Sequence, residues 1–356
     1  MAASLKIGVL TFHRCINYGS YWQARCLVEG LRDLGHDAVL LDYFDARADW
    51  AEWRCALQPL LPARTRREDH PLYVAKIRKF FDAVSLLPLS PRFALDDPAA
   101  MPPCDLVLIG SDEVWNLQHP WYGQYPAFFG ERLRAQRVVA YAASFGSFSC
   151  ADGLRGLWAN KLAALDDISV RDENSRRLIS DVLDRDPALV LDPCLQFPNI
   201  IPPFSEPREQ PYMLCYGHSF PDWFGCAVRE WAAAKHYRFV SVGYRNDCAD
   251  EQRIAAGPEE FAQLMSGAAA IATNFFHGCV FSLLHGKPFV CAPSEYRSNK
   301  VRDLAALVGA QRHLVSEATP PEHYVKLLEA SPDAAIMQRI TALRASSNAY
   351  LSHVLD

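Results

Sequence analysis

The segment from Ala268 to Cys291 constrains the fold of this chain more than any other. It reads AAAIATNFFHGCVFSLLHGKPFVC: an apolar run, a polar break at Thr273 and Asn274, a helical segment that stops at Gly286, and a second apolar run. This order predicts strand, turn, helix and strand, which is the repeating unit of a parallel sheet. His277 stands where the first strand ends and the helix begins, at the sheet edge where α/β proteins bind ligands.

The same alternation occurs on both sides of a proline-rich segment. Near the start, Lys6–Thr11, Ser20–Leu34 and Ala38–Asp42 predict a strand–helix–strand unit with a right-handed crossover. We therefore expect an α/β fold with two Rossmann-like βα domains that face a central cleft, as in glycosyltransferase-B-like proteins. The predicted parts are an N-terminal domain (1–196) with an irregular excursion (45–104), a linker (197–211), a C-terminal domain (212–332) and a terminal helix (333–356) near the seam between the domains.

Composition excludes several functional classes. The chain has 356 residues, a net charge of −5 and 22% charged residues, so it lacks the basic character of a nucleic-acid-binding protein. No apolar run is long enough for a membrane span, and the N-terminus has no signal-peptide pattern, so we expect a cytoplasmic protein. The 11 cysteines contain no CxxC pair, which favours reduced, mostly buried thiols and predicts no metal site.

Polar residues follow the predicted strands of the N-terminal half. Asn17, Tyr18, Gly19 and Ser20 lie at the turn into the first helix, where they either cap the helix or help its N–H groups to hold a carboxylate or phosphate. Gly110, Ser111 and Asp112 follow the buried strand Asp105–Ile109, and a glycine there allows a ligand to approach the backbone. The adjacent acids Asp112 and Glu113 favour a cap or turn over a metal site.

Arg171 occupies a similar position after the short strand Ile168–Val170. A guanidinium at this edge suits a carboxylate or phosphate, because it donates two parallel hydrogen bonds. The alternative is a structural ion pair with Asp172 or Glu173.

Six segments resemble one known family, in the same order along the chain. They are Lys6–Gly19, Asp105–Asn116, Ala140–Gly146, Ile168–Ser175, Leu189–Pro193 and Phe276–Val290. Together they resemble the polysaccharide pyruvyl transferases. The resemblance implies transfer of a pyruvyl group from phosphoenolpyruvate to a sugar of a polysaccharide or of its lipid-linked precursor, with phosphoenolpyruvate as donor substrate and no further cofactor. A lipid-linked acceptor implies at most peripheral contact with the inner membrane face, and the oligomeric state stays unknown.

The resemblance also implies roles for single residues. His277 of the His-Gly motif is the predicted general acid, which protonates the methylene carbon of the donor. Arg171 is the second predicted catalytic residue, through its contact with the donor. Asn274 and Gly278 belong to the predicted binding site beside His277. Lys287 either contacts phosphate or is a solvated lysine, and His285 is expected to be structural.

One position departs from the family pattern. Many members have an arginine two residues before the motif histidine, where this chain has Phe275. Members with an uncharged residue there carry a loop like Arg297–Lys300 after the last strand, so we expect Arg297, Asn299 or Lys300 to supply the positive charge.

Two other functions fit the same sequence. A glycosyltransferase that uses a sugar nucleotide would share the architecture, and a non-catalytic sugar-binding protein would follow if Phe275 reflects lost donor binding. The acceptor is not specified by any motif. Trp50, Trp53 and Tyr73, within the 45–104 excursion, either stack on sugar rings or pack in the core.

Overall fold

The computed structural model describes residues 4–149, 154, 156–201, 210–294 and 298–356. Contacts divide the chain into two compact units: unit 1 contains residues 1–53, 84–200 and 341–356, and unit 2 contains residues 54–83 and 201–340. The strands, in chain order, are β1 (Lys6–Leu10), β2 (Asp37–Leu40), β3 (Tyr43–Phe44), β4 (Phe93–Ala94), β5 (Cys104–Ile109), β6 (Ala135–Ala143), β7 (Asp167–Val170), β8 (Ala188–Leu189), β9 (Tyr212–Tyr216), β10 (Arg238–Val242), β11 (Glu251–Arg253), β12 (Ala270–Thr273) and β13 (Phe289–Cys291). The helices are α1 (Tyr18–Asp33), α2 (Ala46–Leu57), α3 (His70–Ser85), α4 (Leu157–Ala163), α5 (Glu173–Leu183), α6 (Pro193–Gln196), α7 (Asp222–Ala234), α8 (Pro258–Gly267), α9 (Phe276–Leu284), α10 (Ser298–Val308), α11 (Pro321–Glu329) and α12 (Ala334–Leu355).

Unit 1 is built on a six-stranded parallel sheet in the order β2-β1-β5-β6-β7-β8. The central strand β5 reads CDLVLI, and its residues from Leu106 onward are fully buried, as expected for a strand that is covered on both faces. Helix α1 begins at an Asn17 cap, whose Oδ1 accepts from the amides of Gly19 (2.8 Å) and Ser20 (3.2 Å). The helix therefore starts at the carboxyl edge of β1.

Residues 341–356 belong to unit 1, and α12 contacts its sheet. Tyr350 on α12 donates its hydroxyl hydrogen to the carbonyl of Ala140 (3.0 Å), and the Ser347 hydroxyl accepts from the amide of Leu191 (2.9 Å). Both partners lie in or beside the sheet, so the C-terminal residues satisfy buried backbone groups there.

Unit 2 is built on a five-stranded parallel sheet in the order β11-β10-β9-β12-β13. Residues 54–83 belong to this unit, although the sequence analysis placed them in an excursion of the N-terminal domain. The reason is a set of polar contacts: Asp69 forms a two-point ion pair with Arg245 (2.5 Å each), and buried Lys76 donates to the carbonyl of Gly243 (3.1 Å). These partners lie far away in sequence.

Within the described ranges, no helix has both the length and the hydrophobicity that a membrane span requires.

Candidate functional site

The carboxyl edge of the unit 1 sheet carries a buried polar network. Strands β1, β5 and β7 end there, and the chain then continues through Thr11, through Gly110–Asp112 and through Arg171. Parallel strands bring these distant segments to one edge, as predicted.

Arg171 is the centre of this network. Only 3% of its surface is exposed, and its guanidinium donates to Asp192 Oδ2 (2.8 Å), Asp112 Oδ1 (3.3 Å) and Ser111 Oγ (3.2 Å). Burial opposes its charge, but the carboxylates of Asp112 and Asp192 raise the pKa of the guanidinium above its ordinary value. These two ion-pair partners come from two other strand ends, and the nearby Asp172 carboxylate also raises the pKa of the guanidinium. The Asp172 side chain caps α5 by accepting from the amide of Ser175 (2.8 Å).

Asp112 links the arginine to the start of α1. Its Oδ2 accepts from the Ser20 hydroxyl at 2.6 Å, and its Oδ1 also accepts from the amide of Glu113 at 2.8 Å. Ser20 and Asn17 thus lie in the first turn of α1 beside the network, while Tyr18 is fully buried in the same turn. The structure shows that Asn17 caps α1, which is one of the two alternatives that the sequence left open.

The loop after β5 requires its glycine. Gly110 has a φ of +111°, and a Cβ atom at this position would overlap the carbonyl oxygen of Tyr141. Asp112 has a φ of 83°, which is uncommon for a residue with a side chain. A strained residue that pairs with a buried arginine is typical of a functional edge.

The carboxyl edge of the unit 2 sheet carries the second set of predicted residues. His277 is the second residue of α9, directly after β12, and 9% of its surface is exposed. The start of α9 packs so closely on β12 that a Cβ atom at Gly278 would overlap the Thr273 side chain. Thr273 is fixed in turn, because its Oγ1 donates to the carbonyl of Tyr216 (2.6 Å) and accepts from the amide of Phe275 (3.0 Å). The close packing of Gly278 on Thr273 therefore requires a glycine after His277 and fixes the position of His277.

Asn274 is held beside His277 by a single strong contact. Its Nδ2 donates to the carbonyl of His218 at 2.7 Å, and 1% of its surface is exposed. Its Oδ1 is buried and accepts no hydrogen bond from any residue that the structure describes. A buried acceptor without a donor is costly, which makes Asn274 a candidate for ligand contact.

Phe275 fills an aromatic cluster instead of facing solvent. Its ring is nearly perpendicular to those of Tyr216 (4.9 Å between centroids), His218 (5.3 Å) and Tyr244 (5.7 Å), and 7% of the residue is exposed. Lys76 Nζ lies 4.4 Å from the centre of the Tyr244 ring. An arginine in place of Phe275 would have to displace these rings.

The remaining predicted residues fall into three groups. Lys287 precedes β13, at the sheet edge opposite His277, because α9 runs back across the sheet between them. The structure therefore does not bring Lys287 to the sheet edge at which His277 lies. Asn299 and Lys300 lie in the first turn of α10, which follows β13 and so starts at the same edge as α9. Arg297 lies outside the described residues.

His285 ends α9, and its surroundings are those of a structural histidine. Its ring packs at 6.0 Å from that of Phe281, and burial lowers the pKa of the imidazole to about 4. It is therefore neutral at physiological pH.

One buried cluster at the unit 1 edge was not predicted from the sequence. His13, which has no exposed surface, contacts Asp42 Oδ1 through Nε2 (3.2 Å) and the carbonyl of Thr11 through Nδ1 (3.2 Å). Arg14 forms a two-point pair with the same carboxylate (2.5 and 2.7 Å). Burial raises the pKa of the Asp42 carboxyl, but hydrogen bonds from His13 and Arg14 more than offset this and hold it well below its usual range. The sequence feature that could have revealed this cluster is His13 itself, a histidine three residues after the end of β1.

Known structures share this fold at low sequence identity. A UDP-N-acetylglucosamine 2-epimerase matches with a TM-score of 0.52 and 13% identity, covering 99% of this chain and 97% of its own. An Arabidopsis thaliana protein complexed with UDP-L-rhamnose matches with a TM-score of 0.50 and 10% identity, covering 99% of both chains. A Streptomyces glycosyltransferase complexed with thymidine diphosphate has a TM-score of 0.42 and 15% identity, covering 97% of this chain and 96% of its own. The predicted α/β fold of the glycosyltransferase-B kind is confirmed.

Sequence comparison gives a more specific answer. None of the curated proteins matches the chain. A family model does match: that of the polysaccharide pyruvyl transferases, over residues 17–295. This range includes Asn17, the Asp112–Arg171 network and the His277 segment. Since the match spans well over half of the 356 residues, the chain belongs to the polysaccharide pyruvyl transferase family.

Proposed function

We propose that this protein transfers a pyruvyl group from phosphoenolpyruvate to two hydroxyls of one sugar, forming a cyclic ketal and releasing phosphate. The methylene carbon of the donor gains a proton and becomes a methyl group, which leaves an oxocarbenium-like centre at the neighbouring carbon. One sugar hydroxyl bonds to this carbon and loses its proton, and the bond to phosphate oxygen then breaks. The second hydroxyl closes the ketal and gives up the second proton.

The observation that carries this proposal is the placement of the motif histidine. His277 lies in the first turn of α9, at the carboxyl edge of β12, and the overlap at Gly278 leaves little freedom in that position. A helix N-terminus stabilises an anion, and the donor carries both a carboxylate and a phosphate. An imidazole beside a bound anion is suited to deliver a proton to the donor.

Two neighbouring elements extend this donor site. The buried Asn274 Oδ1 lies beside the start of α9, and Lys300 lies in the first turn of α10 at the same edge. Because Phe275 is committed to an aromatic cluster, the positive charge has to come from elsewhere, and Lys300 with Arg297 are our candidates. Asn299 supplies a further hydrogen-bonding group there.

Arg171 has a positioning role in this proposal. Two carboxylates already compensate its charge within unit 1, so it orients Asp112 and Ser111 and does not bind the donor as a free cation. The acceptor belongs to a polysaccharide or to its lipid-linked precursor, and the latter would bring the protein to a membrane surface.

Calorimetry and phosphate release test the reaction. Titration with phosphoenolpyruvate alone should release heat, and phosphate should appear when phosphoenolpyruvate and a set of methyl glycosides are both present. UDP-glucose serves as the alternative donor. Release of UDP from UDP-glucose, with no phosphate from phosphoenolpyruvate, would show a glycosyltransferase instead, and no heat with either donor would indicate a non-catalytic protein.

Variants at His277 test its role. His277→Ala should lower the rate of phosphate release by more than about a hundredfold with the fold intact, since general acids contribute about 10² to 10⁴. His285→Gln, at the other end of α9, is the matched control and should retain the rate. A loss of about tenfold or less in His277→Ala would contradict the assignment.

Variants at Arg297 and Lys300 test the source of positive charge. Arg297→Ala and Lys300→Ala should each weaken phosphoenolpyruvate binding by about tenfold or more, the usual cost of a lost hydrogen bond to a charged group. Arg302→Ala, at an exposed position of α10, is the control and should bind normally. Unchanged affinity in both test variants would show that the charge comes from other residues.

A further inference from the structure

Unit 1 contains a cavity of about 780 Å³ that is distinct from the network around Arg171. We call it the Trp50 cavity, after a residue of α2 that lines it together with His119, Trp121 and Tyr125 from the segment after β5. Ligand sites typically have about 300 to 1,000 Å³. The cavity therefore has room for a sugar unit with its neighbours.

We propose that the Trp50 cavity binds the saccharide acceptor. This inference rests on the proposed function, because it names where unit 1 holds the second substrate of that reaction. Trp50, His119, Trp121 and Tyr125 then recognise a neutral pyranose ring.

The aromatic residues of the cavity suit a sugar. Trp50 is 61% exposed, which is unusual for so large an apolar side chain, and Trp121 and Tyr125 are partly exposed. A pyranose has apolar C–H faces and a polar rim, so it complements aromatic rings that also carry a polar group. Exposed apolar rings around a cavity are typical of a binding site.

The wall of the cavity is held rigid. The indole N–H of Trp121 donates to Glu52 Oε2 at 3.0 Å, and Glu52 Oε1 accepts from the amide of Ile16 at 2.8 Å. Ile16 precedes the Asn17 cap of α1, so a buried carboxylate connects the cavity with the turn into that helix. Preorganisation of this kind lowers the entropic cost of binding.

His119 contributes a neutral hydrogen-bond donor. Its Nδ1 accepts from the amides of Tyr122 (3.0 Å) and Trp121 (3.4 Å), which places the proton on Nε2. Burial lowers the pKa of the imidazole to about 4, so the ring is uncharged at physiological pH. A neutral N–H suits a sugar hydroxyl.

The charges of the cavity favour a neutral occupant. Two basic residues, Arg47 and Arg132, line it with two acidic ones, Asp96 and Glu131. Arg132 also pairs with Asp97 (2.9 Å), and Glu131 pairs with Lys161. This balance gives no excess positive charge for a phosphate or carboxylate, so phosphoenolpyruvate is a poor candidate for the cavity.

Saturation-transfer NMR on the full chain tests the inference without the reaction. The probes are the methyl β-glycosides of glucose, galactose, mannose and N-acetylglucosamine, with no phosphoenolpyruvate present. At least one should show transfer from the wild-type protein, and Trp50→Ala and Trp121→Phe should weaken its binding. We expect about tenfold weaker binding for Trp50→Ala, the equivalent of about 1.4 kcal/mol.

Trp53→Ala is the matched control. Trp53 is also on α2 and is 45% exposed, but it is not among the described residues that line the cavity, so its loss should leave glycoside binding unchanged. Equal effects of Trp50→Ala and Trp53→Ala, or no binding of any probe, would overturn the inference.

Calorimetry with phosphoenolpyruvate on the same variants separates the two proposals. If the variants bind phosphoenolpyruvate normally but no longer bind the glycoside, the result supports the cavity. If the wild-type protein binds a glycoside but does not bind phosphoenolpyruvate, the result counts against the proposed reaction and not against the cavity.

Discussion

At the scale of single residues, the clearest constraint is a buried positive charge that depends on two carboxylates. Arg171 has 3% of its surface exposed, and Asp112 and Asp192 approach it from other strand ends. Removal of one member of such a group leaves a buried charge uncompensated, which costs far more than the pair contributes when it is intact. Arg171 therefore affects stability as well as the geometry of the edge.

We expect Arg171→Met to lower the free energy of unfolding by about 3 to 5 kcal/mol. Arg177→Met is the matched control on α5, because Arg177 is 68% exposed and pairs with Glu173 only at the surface. Exposed pairs contribute about 1 kcal/mol at most. Urea denaturation of both variants measures the difference, and similar losses would show that Arg171 is not a buried ionic centre.

His285 predicts a pH dependence of stability. The pKa of the His285 imidazole is about 4 in the folded chain, whereas its ordinary value is 6.5. Between these two pH values the unfolded state therefore binds more protons than the folded state. Stability should therefore fall as the pH decreases from about 6.5 to 4 and then stay constant with respect to this group. At pH 5 the contribution is about 2 kcal/mol. Unfolding of His285→Gln between pH 7 and pH 5 should be less sensitive to pH by this amount, and an unchanged slope would contradict the assignment.

At the scale of elements, hydrophobic periodicity predicted the longer strands and helices. The segments of β1, β5 and β12 with α9 and β13 were all predicted, and an Asn17 cap was one of the two alternatives for the turn into α1. The short strands β3, β4 and β11 were missed because strands of two or three residues show no period, whereas the equally short β13 was predicted from its apolar run after Gly286. The membership of residues 54–83 was also missed, since it depends on Gly243, Arg245 and other partners that no local pattern reveals.

The junction of β12 and α9 gives a test of element packing. Gly278→Ala should push the start of α9 away from β12, because the new Cβ would overlap the Thr273 side chain. Overpacking of this kind costs about 1 to 3 kcal/mol. Phosphate release should decrease as well, since His277 moves with the helix.

Gly225→Ala on α7 is the control for that variant. A Cβ atom there meets only Cys248, with its nearest atom at 3.7 Å, which is ordinary contact. Stability and rate should therefore match the wild type. If Gly278→Ala behaved like Gly225→Ala in both thermal unfolding and phosphate release, the close contact of α9 with β12 would not position the histidine.

At the scale of the whole molecule, the cysteines report on folding in both units. Ten of the 11 cysteines are described, all as free thiols, and of these Cys226 is the exposed one. Burial raises the pKa of the Cys15, Cys194, Cys215 and Cys291 thiols, which suppresses their reactive thiolate forms.

Thiol titration should therefore separate into phases. In a Cys150→Ser background, which removes the cysteine outside the described residues, the native protein should show one fast-reacting thiol with a disulfide reagent, and the partly exposed Cys55 and Cys248 should react more slowly. Cys226→Ser should abolish that phase, and denaturant should expose the buried thiols. Fast reaction of several thiols in the native protein would contradict the burial of Cys15 and Cys194 in unit 1 and of Cys215 and Cys291 in unit 2.

The position of helix α12 has a consequence for synthesis in the cell. Its residues from 341 onward belong to unit 1, where Tyr350 and Ser347 bind backbone groups of Ala140 and Leu191. The strands of unit 1 leave the ribosome before those of unit 2, but the helix that packs on them leaves after unit 2. The backbone groups of Ala140 and Leu191 must therefore stay open to water or chaperones until unit 2 has been translated. A frameshift or stop codon between unit 2 and Ser347 would damage the unit whose strands were made first.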